Sequence, residues 1–192
     1  MDIIFTKILP YDLRRNSFDY VCSILDQTVD PPSLVPHQLE LQTDMVYHST
    51  LKRAIDCIQY ERNKIYRPLS ELNEVSFTLA DACTEPEWLS LGSKKVREVF
   101  IGKFLHDSLD FSRIELFSQA QGLLRDVVSN ARSITLVSHS FRMKLYEAYI
   151  FTQGRIIDRP ELIRDYISVD RKTFEFGQSF TVTEADLQFL NL

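Results

Sequence analysis

The chain has 192 residues, 44% of them hydrophobic and 26% charged, with a net charge of -5 at neutral pH. That is enough chain for one domain, read as 1–192, to bury a full hydrophobic core, and the composition excludes a disordered polyelectrolyte. The negative balance excludes a broad nucleic-acid surface, which needs clustered positive charge, so any anion site must be local.

The opening Met1-Asp2-Ile3-Ile4-Phe5-Thr6-Lys7 lacks the basic and apolar regions of a secretory signal. No stretch approaches the ~18 apolar residues of a membrane span, so no membrane partner is expected and the protein is expected in the cytoplasm. Ile3, Ile4 and Phe5 predict a strand buried on both faces, central in a parallel sheet. Behind Pro10 and Asp12, Phe18, Val21, Cys22 and Leu25 recur at helical spacing and predict an amphipathic helix of roughly four turns. That pattern stops at Asp30-Pro31-Pro32, where the prolines through Pro36 mark an irregular connection to a second strand at Met45-Val46-Tyr47. Thr50 is placed to cap the next helix, whose apolar stripe is Leu51, Ala54, Ile55 and Ile58.

A loop carrying Pro68, Glu71, Glu74, Pro86 and Trp88 follows, and then helices near Lys94 to Ser108 and Arg113 to Ala131. Ser133 to Ser138 is the strongest strand signal, and Phe141, Leu145, Ala148 and Tyr149 form an amphipathic helix after it, with His139 on the turn. Pro160 opens a short helix, and Thr173 to Phe176 and Ser179 to Val182 flank Gly177 as a hairpin or edge strands. The expected fold is α/β: a three-layer sandwich with a mostly parallel central sheet flanked by helices and an antiparallel edge. Cys22, Cys57 and Cys83 are too scattered for a disulfide framework or a metal site, and no Walker loop or dinucleotide glycine motif occurs, so no metal or cofactor is expected.

In such a sheet, loops leaving the carboxyl ends of the strands converge on one crevice. The loops are Thr6 to Pro10, His48 to Arg53 and Ser138 to Ser140. Arg53, in the first turn of its helix, reads either as a surface arginine or as half of an anion cradle made with the free helix N–H groups. His139 reads either as a histidine satisfied by the backbone or as a donor to a phosphate oxygen. Glu74 and Glu71 read either as solvated loop carboxylates or as a proton donor.

Val46-Tyr47-His48-Ser49-Thr50-Leu51-Lys52-Arg53-Ala54-Ile55-Asp56 resembles the "YSSPLKRAxxTA" segment of histidine phosphatases, the phosphoglycerate-mutase-like superfamily. Ile134 to Arg142 resembles that superfamily's "LVVSHGGxxR", and Leu72-Asn73-Glu74-Val75-Ser76-Phe77 its acid loop. The resemblance implies a phosphoglycerate-mutase-like fold in which Arg53 holds the phosphate, His139 contacts it, and Glu74, or else Glu71, is the general acid. It also exposes a departure. Where the superfamily carries "RHGE", this chain has Lys7, Ile8, Leu9 and Pro10. Lys7 keeps a positive charge beside the phosphate without a bidentate fork, and Ile8 offers no imidazole nitrogen to accept a phosphoryl group.

The expectation is therefore a pseudoenzyme that binds phosphate, a phosphorylated small molecule or a protein partner, with no nucleic acid or membrane involved. The alternative is an active phosphomonoesterase or phosphomutase using His139 or His48, the latter standing where the superfamily has serine. A third expectation is a structural module with an empty pocket. Against that one stands Arg53, as a helix-start cation in need of an anion.

Overall fold

In this computed structural model the described residues are 2–7, 17–34, 36, 38–129, 133–171 and 175–190. Five strands form one sheet in the order β3-β2-β4-β1-β5: β1 (Asp2–Lys7), β2 (Met45–His48), β3 (Ile65–Pro68), β4 (Ile134–Ser138) and β5 (Ser179–Thr183). The pairs β1·β4, β2·β4 and β2·β3 are parallel, and β5 closes the β1 side antiparallel.

Period-2 alternation sorts the strand residues onto two buried faces. Ile3, Met45, Tyr47, Ile134 and Leu136 join the larger core cluster. Val46 and Val137 join a second cluster with Leu39, Leu41, Ala54, Cys57 and Ile58. Burial on both faces is why β2 and β4 read as continuous apolar runs, and it gives the expected three-layer α/β sandwich. Helices α4 (Ser93–Leu105), α5 (Arg113–Ser129) and α6 (Ser140–Phe151) supply nearly half of the larger cluster. At its heart Phe141 stacks on Phe100 with centroids 4.0 Å apart, and Phe77 meets both edge-on. The stack anchors the first turn of α6 and so fixes the strand-to-helix corner at His139.

Four local expectations change. The first helix, α1 (Phe18–Leu25), is eight residues long rather than about four turns, and Gln27 just beyond it has φ 59°, outside helical space. The start of the longer helix expected behind Pro10 and Asp12 falls among residues 8–16, which lie outside the described residues. Second, α2 (Lys52–Ile55) is a single turn with Leu51, not Thr50, at its N-cap, because Thr50 is bonded to Asn73 instead.

Third, the expected loop contains β3, a 3-10 turn at Ser70–Leu72 and the helix α3 (Glu85–Leu91). Pro86 sits in the first turn of α3 behind a reciprocal Thr84–Glu87 capping box, a start signal carried by Thr84-Glu85-Pro86-Glu87. Strand β3 is short, exposed and ends in Pro68, as an edge strand tolerates, and so has no apolar pattern to announce it. Fourth, of the hairpin or edge strands expected around Gly177, Ser179–Thr183 is the edge strand β5, paired with β1; Lys172 to Phe174 lie outside the described residues, and Glu175 and Gln178 close a turn around Gly177. A 3-10 turn at Pro160–Leu162 leads into α7 (Ile163–Tyr166), the short helix expected there. Among the described residues no helix is long and apolar enough to cross a membrane.

Candidate functional site

The parallel register brings three strand ends to one rim. His48 lies beside Val137, and Lys7 beside Ser138, so the loops after β1, β2 and β4 leave the sheet together. Lys7 reaches this rim by its backbone; Ile8, Leu9 and Pro10 lie outside the described residues. Arg53 and His139 are brought to the same side, and both are buried, at 6% and 3% exposure. A buried guanidinium and a buried imidazole need partners, and their partners define the site.

His139 Nε2 lies 2.8 Å from Ser49 Oγ. Ser49 Oγ donates to Asn73 Oδ1 at 2.7 Å and accepts Leu51 N–H at 3.1 Å. Asn73 Oδ1 also accepts Thr50 N–H, which fixes the amide orientation. The single Ser49 proton is thus committed to Asn73, so His139 carries its own proton on Nε2 and donates it to Ser49. His48 is arranged the other way. Its Nδ1 lies 2.8 Å from the Ser49 carbonyl oxygen and must donate there, which in the neutral ring leaves a lone pair on Nε2 facing the Tyr60 hydroxyl at 3.4 Å.

Arg53 Nη1 donates to Asp30 Oδ1 at 3.0 Å, and Asp30 Oδ2 takes the main-chain N–H of Lys52 at 2.5 Å. Burial pulls the guanidinium below its ordinary pKa, and the carboxylates of Glu74 and Asp30 pull it back. The anion that a helix-start arginine seemed to require is therefore supplied by the chain itself. Moreover, α2 is so short that its dipole is a minor consideration.

Glu74 sits across the rim at the start of α6. Its carboxylate accepts N–H groups from Arg142 at 2.9 Å, Phe141 at 3.3 Å and Val75 at 3.0 Å. Arg142 returns the contact, its Nε donating to the Asn73 carbonyl at 2.8 Å, while Ser138 Oγ donates to the Leu72 carbonyl at 2.7 Å. These bonds fold the Leu69–Phe77 segment over the rim. Glu71 contributes its carbonyl, which accepts from Tyr146, and its carboxylate takes the Ser70 hydroxyl at 3.2 Å.

Asp30, Ser49, Asn73 and Arg142 were not singled out from the sequence as site residues. Ser49, Asn73 and Arg142 lie inside the three quoted segments and were in reach. Asp30 had no signal beyond preceding two prolines. Among the described residues no cluster of histidine, cysteine and acidic side chains is arranged to hold a metal.

No protein-family model matches the sequence, and no curated protein does. Solved structures do match in three dimensions. Mycobacterial glucosyl-3-phosphoglycerate phosphatase aligns with a TM-score of 0.57 at 11% identity, over 95% of this chain and 89% of that one. The α-ribazole phosphatase from Shigella flexneri aligns at 0.56 and 11%, over 95% and 90%. A putative α-ribazole-5'-P phosphatase from Escherichia coli gives 0.53 at 12%, over 95% and 90%. The chain has the phosphoglycerate-mutase-like fold. At such identities the likeness speaks for the fold alone.

Proposed function

We propose that this chain is a histidine-phosphatase-like protein that binds a phosphorylated small molecule, or a protein partner, at the rim holding Arg53 and His139, and that it is impaired in phosphohistidine chemistry. The observation that carries the reading is that the neighbouring strands β2 and β4 lead into corners holding a buried guanidinium, Arg53, and a buried imidazole, His139, with His139 bonded to Ser49 of the β2 loop. In this reading Arg53 holds phosphate oxygens, the His139 Nε2–H donates to one of them when it leaves Ser49, and Lys7 adds charge without a fork. Ile8, in the position of the missing nucleophile, leaves no nitrogen for the covalent step. Glu74 would act as an acid only by leaving the α6 N–H groups it now holds. One sheet drawing strands from Asp2 to Thr183 supports treating 1–192 as one domain, and we read the protein as cytoplasmic.

Incubated with p-nitrophenyl phosphate, the protein is expected to give no turnover above a protein-free blank, while inorganic phosphate raises the melting temperature of the wild type but not of Arg53→Ala. A robust rate abolished by His139→Ala would overturn the impaired reading.

A second reading, an active phosphomonoesterase or phosphomutase, is favoured by the histidine tautomers and points to His48 rather than His139. His48 Nε2 carries the lone pair that a nucleophile needs, whereas His139 Nε2 is a donor. Under turnover, a phosphorylated peptide containing His48 in mass spectrometry supports it; a chain that turns over substrate without ever labelling His48 removes it.

A further inference from the structure

Resting on the reading of Arg53 as an anion holder, we infer that Asp30 is a built-in competitor for that position: its carboxylate takes the place of a bound phosphate and must leave before a phosphorylated ligand enters. One Asp30 oxygen meets the guanidinium at 3.0 Å and the other meets the Lys52 main-chain N–H at 2.5 Å. These are contacts that two oxygens of a phosphate also make.

Arg53 is too deeply buried to be hydrated, and an unpaired buried cation is strongly destabilising, so the guanidinium keeps an anion at all times. Ligand binding is therefore an exchange of anions rather than the filling of a space. Two carboxylates act on Arg53, and they differ in freedom. Glu74 is pinned by the N–H groups of Val75, Phe141 and Arg142. Asp30 has a side chain 30% exposed, on the irregular segment between α1 and β2, and can rotate outward. A phosphate placed on Arg53 beside both carboxylates meets like-charge repulsion in a poorly hydrated site, and the carboxylate that yields is Asp30.

The exchange also selects its ligand. A carboxylate or a phosphodiester offers the single charge that Asp30 already supplies from within the chain, where it is held at high effective concentration. A phosphomonoester dianion carries more charge, and it is the class that displaces Asp30.

The test is calorimetric titration with inorganic phosphate, and with acetate as the singly charged comparison. Asp30→Asn, which keeps an oxygen for the Lys52 N–H, is expected to bind phosphate about tenfold more tightly than wild type. Asp30→Ser gains in the same direction, Arg53→Ala in either background does not bind, and acetate stays unbound by the wild type. Melting curves establish that each variant folds. Wild-type binding with no gain in Asp30→Asn or Asp30→Ser overturns the competitor role alone. Absence of phosphate binding in wild type and both Asp30 variants overturns the Arg53 reading with it.

Discussion

At the β4–α6 corner the bonds run largely to the main chain: Glu74 onto the N–H groups of Phe141 and Arg142, Arg142 onto the Asn73 carbonyl, Ser138 onto the Leu72 carbonyl, with Phe141 stacked on Phe100 beneath. At the β2–α2 corner the helix is one turn long, and its first N–H is taken by a side chain, Asp30, from an irregular segment. Both corners line one rim, and both serve a buried polar side chain, His139 in one case and Arg53 in the other. The contrast shows that burial alone does not define a rigid site. One wall is held by groups that cannot move without exposing backbone, and the other by a carboxylate that can be exchanged for another anion.

The largest effect that tests this contrast is Glu74→Ala. It strips an acceptor from N–H groups at the start of a twelve-residue helix. Hydrogen bonds to a charged group carry about 1.5–3 kcal/mol each, and water that enters the gap returns part of that, so a loss of about 2 kcal/mol is expected in urea unfolding. Glu74→Gln, which retains one carbonyl acceptor, should lose about half as much. A midpoint unchanged by Glu74→Ala would show that the β4–α6 wall is not held from the acid loop.

Next in size is Tyr146→Phe. Tyr146 is fully buried on α6, and its hydroxyl donates to the Glu71 carbonyl at 2.8 Å, tying the 3-10 turn at Ser70–Leu72 to the same wall. Removing it leaves that carbonyl short of a donor, at a cost of about 1 kcal/mol at neutral pH. Burial pushes the Tyr146 hydroxyl up to about 12 from its ordinary 10.0. A raised folded-state value means the unfolded chain loses this proton first, so the contribution is complete below pH 10 and is lost as pH rises through 12. Cys22, pushed by burial and by Asp19 and Asp26 up to about 11, declines over an overlapping range, so Tyr146→Phe should flatten the alkaline limb rather than abolish it. An alkaline limb of unchanged slope would mean that Tyr146 ionises as freely in the folded protein as in the unfolded one.

How far the sequence foretold these walls follows the same division. Strands β2 and β4, buried throughout and largely apolar, and α6, whose Phe141, Leu145, Ala148 and Tyr149 recur at helical spacing, were legible because each burial pattern is written in near-consecutive residues. The rim position of His48, Arg53 and His139 followed from strand ends in a parallel sheet. What could not be read was which residue satisfies which. The Asp30–Arg53 pair spans 23 positions through an irregular segment, and the His139–Ser49 bond spans 90. Neither leaves a periodic trace, so Arg53 looked like a cation lacking an anion when its anion lay upstream. The edge strand β3 was missed for the converse reason, since an exposed Ile65 and Arg67 and a terminal Pro68 make no alternating apolar pattern.

The smallest expected effect is Lys52→Ala, and it bears on the adjustable wall. Lys52 Nζ lies 2.8 Å from Asp56 Oδ1 four residues on, but the lysine side chain is 57% exposed, and such a pair contributes about 0.3–0.5 kcal/mol. Alanine keeps the main-chain N–H that Asp30 accepts and is the better helix former, which offsets part of even that loss. The net change in stability should fall below about 0.5 kcal/mol and shrink further with added salt. Phosphate affinity should change little beside the gain expected of Asp30→Asn, because the lysine charge faces Asp56 rather than the guanidinium. A loss well above 1 kcal/mol would mean that α2 is held by its exposed charge pair, with Asp30 merely resting against it. The distinction between a pinned wall and an exchangeable one would then have to be redrawn around Asp56.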